Sequence, residues 1–135
     1  MRGRMSPEKN IELARRGVER FLRTGEPRWD DLDPEIEIHD HDVPDAGTYR
    51  GPDGFREWIA DWAQAWESFV IQPEEYLAAA DKVVAVVRVS ARGKGSGVPV
   101  ERLDGMVWTV RGGKAVRLDY YGSRVEALES VGLSR

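Results

Sequence analysis

The sequence has no cysteine, only two histidines and no long apolar run. Lack of cysteine excludes a disulfide framework, a thiol nucleophile and thiolate metal ligands. The same lack fits a reducing compartment, and the expected location is cytoplasmic. A membrane helix needs about 18 or more consecutive apolar residues, and no stretch approaches that. The first five residues, Met1-Arg-Gly-Arg-Met5, are basic without an apolar segment after them, so a secretory signal is not expected. A block of one charge is also missing: 20 basic residues are interspersed with 24 acidic ones, for a net charge of −4. Nucleic acid is therefore not an expected partner, and neither is a membrane. The two glycine clusters, Gly93-Lys-Gly-Ser-Gly97 and Gly112-Gly113, lie between expected strands. A phosphate cradle needs a helix to follow, so neither is one.

The 135 residues suit one domain, 1–135 with a core of about 10–133, large enough to bury a hydrophobic interior. Ser6-Pro7 starts a helix, because serine caps and proline at the first helical position loses no hydrogen bond. Ile11, Ala14, Val18, Phe21 and Leu22 follow at helical spacing, and Thr24-Gly25 ends the run. A short helical turn over 27–32 is anchored by Trp29 and Leu32. Glu35-Ile-Glu-Ile-His-Asp40 alternates as a strand, and 43–54 reads as a loop. A second helix is expected over about 52–67, with Phe55, Trp58, Ile59, Trp62 and Trp66 as its apolar stripe. Strands follow at 69–79, 83–92, 98–110 and 115–121, joined by hairpins, and 123–131 makes a short last helix. Pro73 marks the first of these strands as an edge or a bulge. Helices gathered on a mostly antiparallel sheet define an α+β fold, and strong curvature would let sheet and helices enclose a cavity.

Strand parity groups the candidate chemistry. Asp40 shares a face with Ile36 and Ile38, which aims a carboxylate at an apolar region, where it is a candidate base for proton abstraction next to a carbonyl. Arg88 shares a face with Ser90; Arg102 and Asp104 share one with Met106 and Trp108; and Arg117 and Asp119 share one with Tyr121. Arg88 beside Asp119 has two readings, a charge partner for catalysis or a structural ion pair. The tryptophans also have two: core packing against the sheet, or the wall of a pocket. His39 and His41 share a strand face. With no third histidine, a metal site would need carboxylates, and none is expected; His39 serves better as a proton shuttle.

Several segments together resemble SnoaL-like proteins of the nuclear-transport-factor-2-like superfamily. They are Pro34-Glu-Ile-Glu-Ile-His-Asp40, Tyr49-Arg-Gly51 before a tryptophan-rich helix, Val107-Trp-Thr-Val-x-x-Gly-Lys114, and Arg117-Leu-Asp-Tyr-Tyr121 followed by Glu126-Ala-Leu-Glu129. The resemblance runs from about Asn10 to Leu133. It implies a cone-shaped roll, a curved, mostly antiparallel sheet wrapped by three helices around a central cavity. It also implies a homodimer, for which Val83 and Val87 are expected as outward residues needing cover. Asp40 matches the general-base position of ketosteroid isomerases, although the first helix has no tyrosine to match their oxyanion-binding one. Arg88-Val-Ser90 with Asp119 resembles the limonene-epoxide hydrolase arrangement, with Ser90 where that family has an acid. Met106 stands where relatives often carry histidine.

These readings lead to a pocket for a small, largely apolar molecule. The expected function is cofactor-free acid–base chemistry, as an isomerase, cyclase or dehydratase acting on a carbonyl compound. Asp40 or Asp119 would take the proton, and Arg88, Tyr121 or His39 would steady the developing charge. Trp58, Trp62, Met106, Trp108 and Ser90 would contact the substrate. A non-catalytic binding protein is the alternative, and an epoxide hydrolase a third reading.

Overall fold

The computed structural model describes residues 6–45 and 47–133; the basic start at residues 1–5 lies outside the described residues. Helix α1, Pro7–Thr24, begins as its sequence dictates. The Ser6 hydroxyl accepts the Lys9 N–H at 3.2 Å, and Gly25, at φ +83°, returns its own N–H to the Phe21 carbonyl. A glycine suits that position because other residues are strained in the left-handed region. A single 3-10 turn, Trp29–Asp31, leads into β1, Leu32–Asp40.

The segment expected to be a loop holds a three-residue strand, β2, Thr48–Arg50, antiparallel to β1. Helix α2 follows as Gly51–Gln64, three residues shorter at its end than expected. Trp66 starts strand β3, Trp66–Ala79, so the third tryptophan of the expected helical stripe belongs to the sheet. Strands β4, Lys82–Gly93, β5, Pro99–Arg111, and β6, Lys114–Tyr121, complete the sheet, and α3, Arg124–Ser130, closes the described chain.

The six strands lie in the order β2-β1-β6-β5-β4-β3, which leaves both edges open. The sheet is mixed, because β1 pairs with β6 in parallel while the other neighbours are antiparallel. Edge strand β3 carries Pro73 at a shift in register, so the proline sits both at an edge and at a bulge. Further shifts interrupt the β1–β6 and β5–β6 ladders, and such bulges bend a sheet.

Two apolar layers result. On the concave side, α1 packs on β3 and β4 while α2 packs on β1 and β2. The middle strands β5 and β6 pass beneath the gap between the two helices. Ile36, Ile38, Val83, Ala85, Val87, Val89 and Leu118 face this side with Leu13 and Val18 of α1. On the convex side, Ala127 and Leu128 of α3 cover Val84, Val86 and Val107. Val83 and Val87 therefore point inward, contrary to the expectation, and Val84 and Val86, the β4 valines that do point outward, are covered by the chain's own last helix. Among the described residues, no helix is long and apolar enough to cross a membrane.

Candidate functional site

The gap between α1 and α2 holds a pocket of about 80 Å³. Its floor comes from Met106 and Trp108 of β5 and from Leu118 and Tyr120 of β6, and α2 contributes Trp58 and Trp62. Alternation along β5 and β6 delivers these floor residues to one side of the sheet. A three- to four-residue step along α2 turns Phe55, Trp58 and Trp62 toward them. The rings pack edge to face: Phe55 on Trp58 at 5.8 Å, Trp58 on Tyr120 at 5.5 Å and Trp62 on Phe69 at 5.0 Å between centroids. Edge-to-face contact suits the ring quadrupoles and makes a rigid wall that presents mostly carbon.

Behind two of these rings stand buried carboxylates. Asp40, at the end of β1, accepts the Trp58 indole N–H at 2.8 Å and the Asp42 backbone N–H at 2.9 Å. Asp104, on β5, is 0 % exposed and accepts the Tyr120 hydroxyl. Arg102 joins the two ends of the network. Its Nε stands 2.7 Å from Asp104, and its terminal nitrogen reaches Asp42 at 2.7 Å. Its guanidinium also lies 5.6 Å from the centre of the Trp66 ring. The result is a continuous chain from Trp58 through Asp40, Asp42, Arg102 and Asp104 to Tyr120.

The electrostatics of the chain follow from burial. Desolvation pushes the Asp104 carboxyl above the ordinary carboxylate range, and the Tyr120 and Arg102 contacts offset this only in part. Tyr120 is raised well above the usual phenol value, by burial first and by the Asp104 charge second. For Arg102, burial acts to lower the value, but Asp104 and Asp42 outweigh it and the guanidinium stays charged. Three further indole N–H groups, those of Trp62, Trp66 and Trp108, are buried without a hydrogen-bond partner among the described residues.

The structure separates the residues expected to share a site. Trp58, Trp62, Met106 and Trp108 all line the pocket, and Asp40 lies just behind its Trp58 wall. Asp119, Arg88, His39, Tyr121 and Ser90 do not line it; their strand positions turn them to the convex side. Arg88 and Asp119 are not neighbours. Arg88 binds Glu74 at 2.9 Å and stands 3.8 Å from Glu101, to which Ser90 also donates a hydrogen bond. Asp119 is gripped by Arg117 through two hydrogen bonds, at 2.8 and 2.9 Å, and by His41 at 2.7 Å. Burial alone would raise the Asp119 carboxyl, but Arg117 and His41 hold it below the usual range. Tyr121 stacks on His41 at 4.5 Å, and His39 bonds to Glu37. The Arg-x-Ser and Asp pattern is thus split between two ion-pair clusters. Among the described residues, no group of three or more His, Asp or Glu side chains could hold a metal ion.

Parity arguments missed Asp104, Arg102, Asp42 and Tyr120 as site residues. The signal for Asp104 was present, since it alternates in step with Met106 and Trp108. For Tyr120 the signal was Leu118, the apolar residue two positions earlier on the same face.

Comparison with known proteins agrees with this architecture. A SnoaL-like domain signature matches residues 14–118. No curated protein matches the chain. Among solved structures, an NTF2-like protein from Burkholderia thailandensis is similar with a TM-score of 0.72 and 24% identity, over 87% of this chain and 91% of that one. TerC, co-crystallised with polyporic acid, is similar with a TM-score of 0.69 and 21% identity, over 91% and 97% of the two chains. A protein of ketosteroid isomerase-like fold from Catenulispora acidiphila, in complex with trimethylamine, is similar with a TM-score of 0.61 and 18% identity, over 96% and 95%. At these identities the likeness concerns the fold. The signature over residues 14–118 places the chain in the SnoaL-like family, and its six-stranded unclosed sheet with its helices has the fold of the NTF2-like structures it resembles.

Proposed function

We propose that the protein takes a small, predominantly apolar molecule into the pocket between α1 and α2 and acts on it by cofactor-free acid–base chemistry of the isomerase, cyclase or dehydratase kind. One observation carries this reading. The carbon-lined pocket ends on two aromatic side chains, Trp58 and Tyr120, whose polar atoms each bond to a buried carboxylate. Burial raises the Asp104 carboxyl, so it takes up a proton more readily than an exposed carboxyl does. A protonated Asp104 would donate to the Tyr120 oxygen and free the Tyr120 hydroxyl for a carbonyl oxygen in the pocket. Charge developing there during proton abstraction would then meet a fixed donor in dry surroundings. Asp40, once Trp58 yields its hydrogen bond, is the group placed to accept the proton. TerC and the Catenulispora protein, both seen with small organic molecules, support a ligand-holding role for this fold.

Non-catalytic binding is the second reading, favoured by the fact that neither carboxylate borders the pocket directly. Epoxide hydrolysis is supported less well, because Arg88 and Asp119 do not converge. The test is deuterium incorporation from heavy water into a panel of small aryl and alkyl ketones. Wild-type protein is expected to exchange protons next to the carbonyl, and both Asp40→Asn and Tyr120→Phe to lower the rate at least about a hundredfold, the usual size of an acid–base contribution. Ligands that bind and return without deuterium would replace catalysis with the binding reading.

A further inference from the structure

Charge reaches the pocket wall at one place. Of the side chains that line it, only Arg28 and Asp31 are charged, and both lie in the connection between α1 and β1. Asp31 is buried there and takes three hydrogen bonds from two arginines. Arg16 grips it with Nε at 2.8 Å and a terminal nitrogen at 3.0 Å, and Arg28 adds its Nε at 2.9 Å. Burial alone would raise the Asp31 carboxyl, but the two guanidiniums outweigh it and hold it below the usual range. The cluster of Arg16, Arg28 and Asp31 by itself therefore carries one guanidinium more than it has carboxylates.

The two arginines are not equivalent. Arg16 already satisfies both Asp31 oxygens in fork-to-fork fashion, so Asp31 keeps its partner whatever Arg28 does. Arg28 spends only its Nε–H on Asp31. Its two terminal nitrogens hydrogen-bond to no described residue, and its side chain is 39% exposed at the rim. A guanidinium presents paired, parallel donors there, matched in spacing to a carboxylate, at the edge of a site otherwise walled by carbon.

We infer that the ligand of this pocket is an apolar acid, with a ring or chain among the aromatic side chains and a carboxylate at its end bound by the terminal N–H groups of Arg28. This rests on the pocket being a small-molecule site, as proposed above, and deepens that reading by naming the ligand class. The exposed Arg28 end costs little to desolvate, and the occupied Arg16–Asp31 pair keeps the rim ordered when Arg28 turns to its ligand.

The experiment is calorimetric titration of the full chain with three molecules of one shape: 4-phenylbutyrate, 4-phenylbutyramide and 4-phenylbutylamine. The acid is expected to bind tighter than the neutral amide by roughly tenfold or more, the size of hydrogen bonds to a charged group, with the amine weakest. Arg28→Gln should bring the acid down to the affinity of the amide. Arg28→Lys, which keeps the charge without the fork, should fall between them. Unfolding midpoints of both variants confirm that the comparison is made on folded protein. If the acid and the amide bind wild type equally, or if Arg28→Gln leaves the preference intact, the apolar-acid assignment is overturned while the pocket reading stands. Tightest binding of the amine also overturns it. If none of the three binds, the pocket reading falls and this inference falls with it.

Discussion

At the scale of single residues, Asp104 is the most consequential group in the molecule. A wholly buried carboxylate is stable only with partners, and here Tyr120 and Arg102 provide them from two strands. Its removal leaves the Tyr120 hydroxyl without an acceptor and Arg102 with Asp42 alone. Asp104→Ala is therefore expected to cost about 3 kcal/mol at neutral pH, measured by urea unfolding. Asp104→Asn, which still accepts from Tyr120, should cost visibly less. Equal losses in the two variants would mean that the hydrogen bond contributes nothing. The same residue also explains why Tyr120, and not the adjacent Tyr121, belongs to the site. One step along a strand reverses the face, so Tyr121 stacks on His41 on the convex side.

At the scale of elements, α3 is held by closeness as much as by apolar area. It lies against β5 at Gly105, where an added Cβ would overlap the Ala127 Cβ. A methyl group there has no flexible neighbour to displace, so the helix must shift. Gly105→Ala is expected to destabilise by about 1–3 kcal/mol through overpacking. Adding Ala127→Gly should restore the room and recover part of the loss, although glycine inside a helix itself costs about 1 kcal/mol. Thermal unfolding of the single and double variants checks this. Additive losses would show that the two positions do not meet. Lifting α3 would also uncover Val84, Val86 and Val107, which it now shields on the convex side.

For the whole molecule, the two buried carboxylates with depressed values govern behaviour in acid. Asp31 ties α1 to the turn before β1 through Arg16 and Arg28, and Asp119 ties β6 to the end of β1 through His41. Burial acts against both charged forms, and the cationic partners outweigh it, so both values lie below those of the unfolded chain. A carboxylate of this kind stabilises fully above its unfolded value, near about 4, and that contribution is lost as pH falls through the lower folded value. Stability should therefore decline below about pH 4, and Asp31→Asn should flatten the decline while lowering stability at pH 7. Chemical unfolding across pH measures both effects, and an unchanged acid slope in the variant would remove Asp31 from the account. Asp104 has the opposite sign, since its raised value favours the folded chain most when it is protonated.

What the sequence determined by itself was local. The capping serine, the proline after it and the terminal glycine set α1, because these act within one helical turn. Alternation set the strands and sorted their residues into faces. Pro73 announced an edge or a bulge, because a missing N–H cannot serve a central ladder. Trp58 and Trp62 were legible through helical spacing, and Met106 and Trp108 through alternation. The tertiary structure alone decided which face was inside. Parity relates residues along one strand but carries no sign, and in β4 valines occupy both faces, so Val83 and Val84 are alike in sequence and opposite in place. The partners of Arg88 and the His41 contact of Asp119 depended on lateral strand order, which puts Glu74 and Glu101 beside the one and His41 beside the other. Arg117, two residues before Asp119 on the same strand, was already grouped with it by alternation. The parallel β1–β6 pairing, the short β2 and the passage of Trp66 from helix to strand are likewise set by contacts far apart in the chain, which no local pattern encodes.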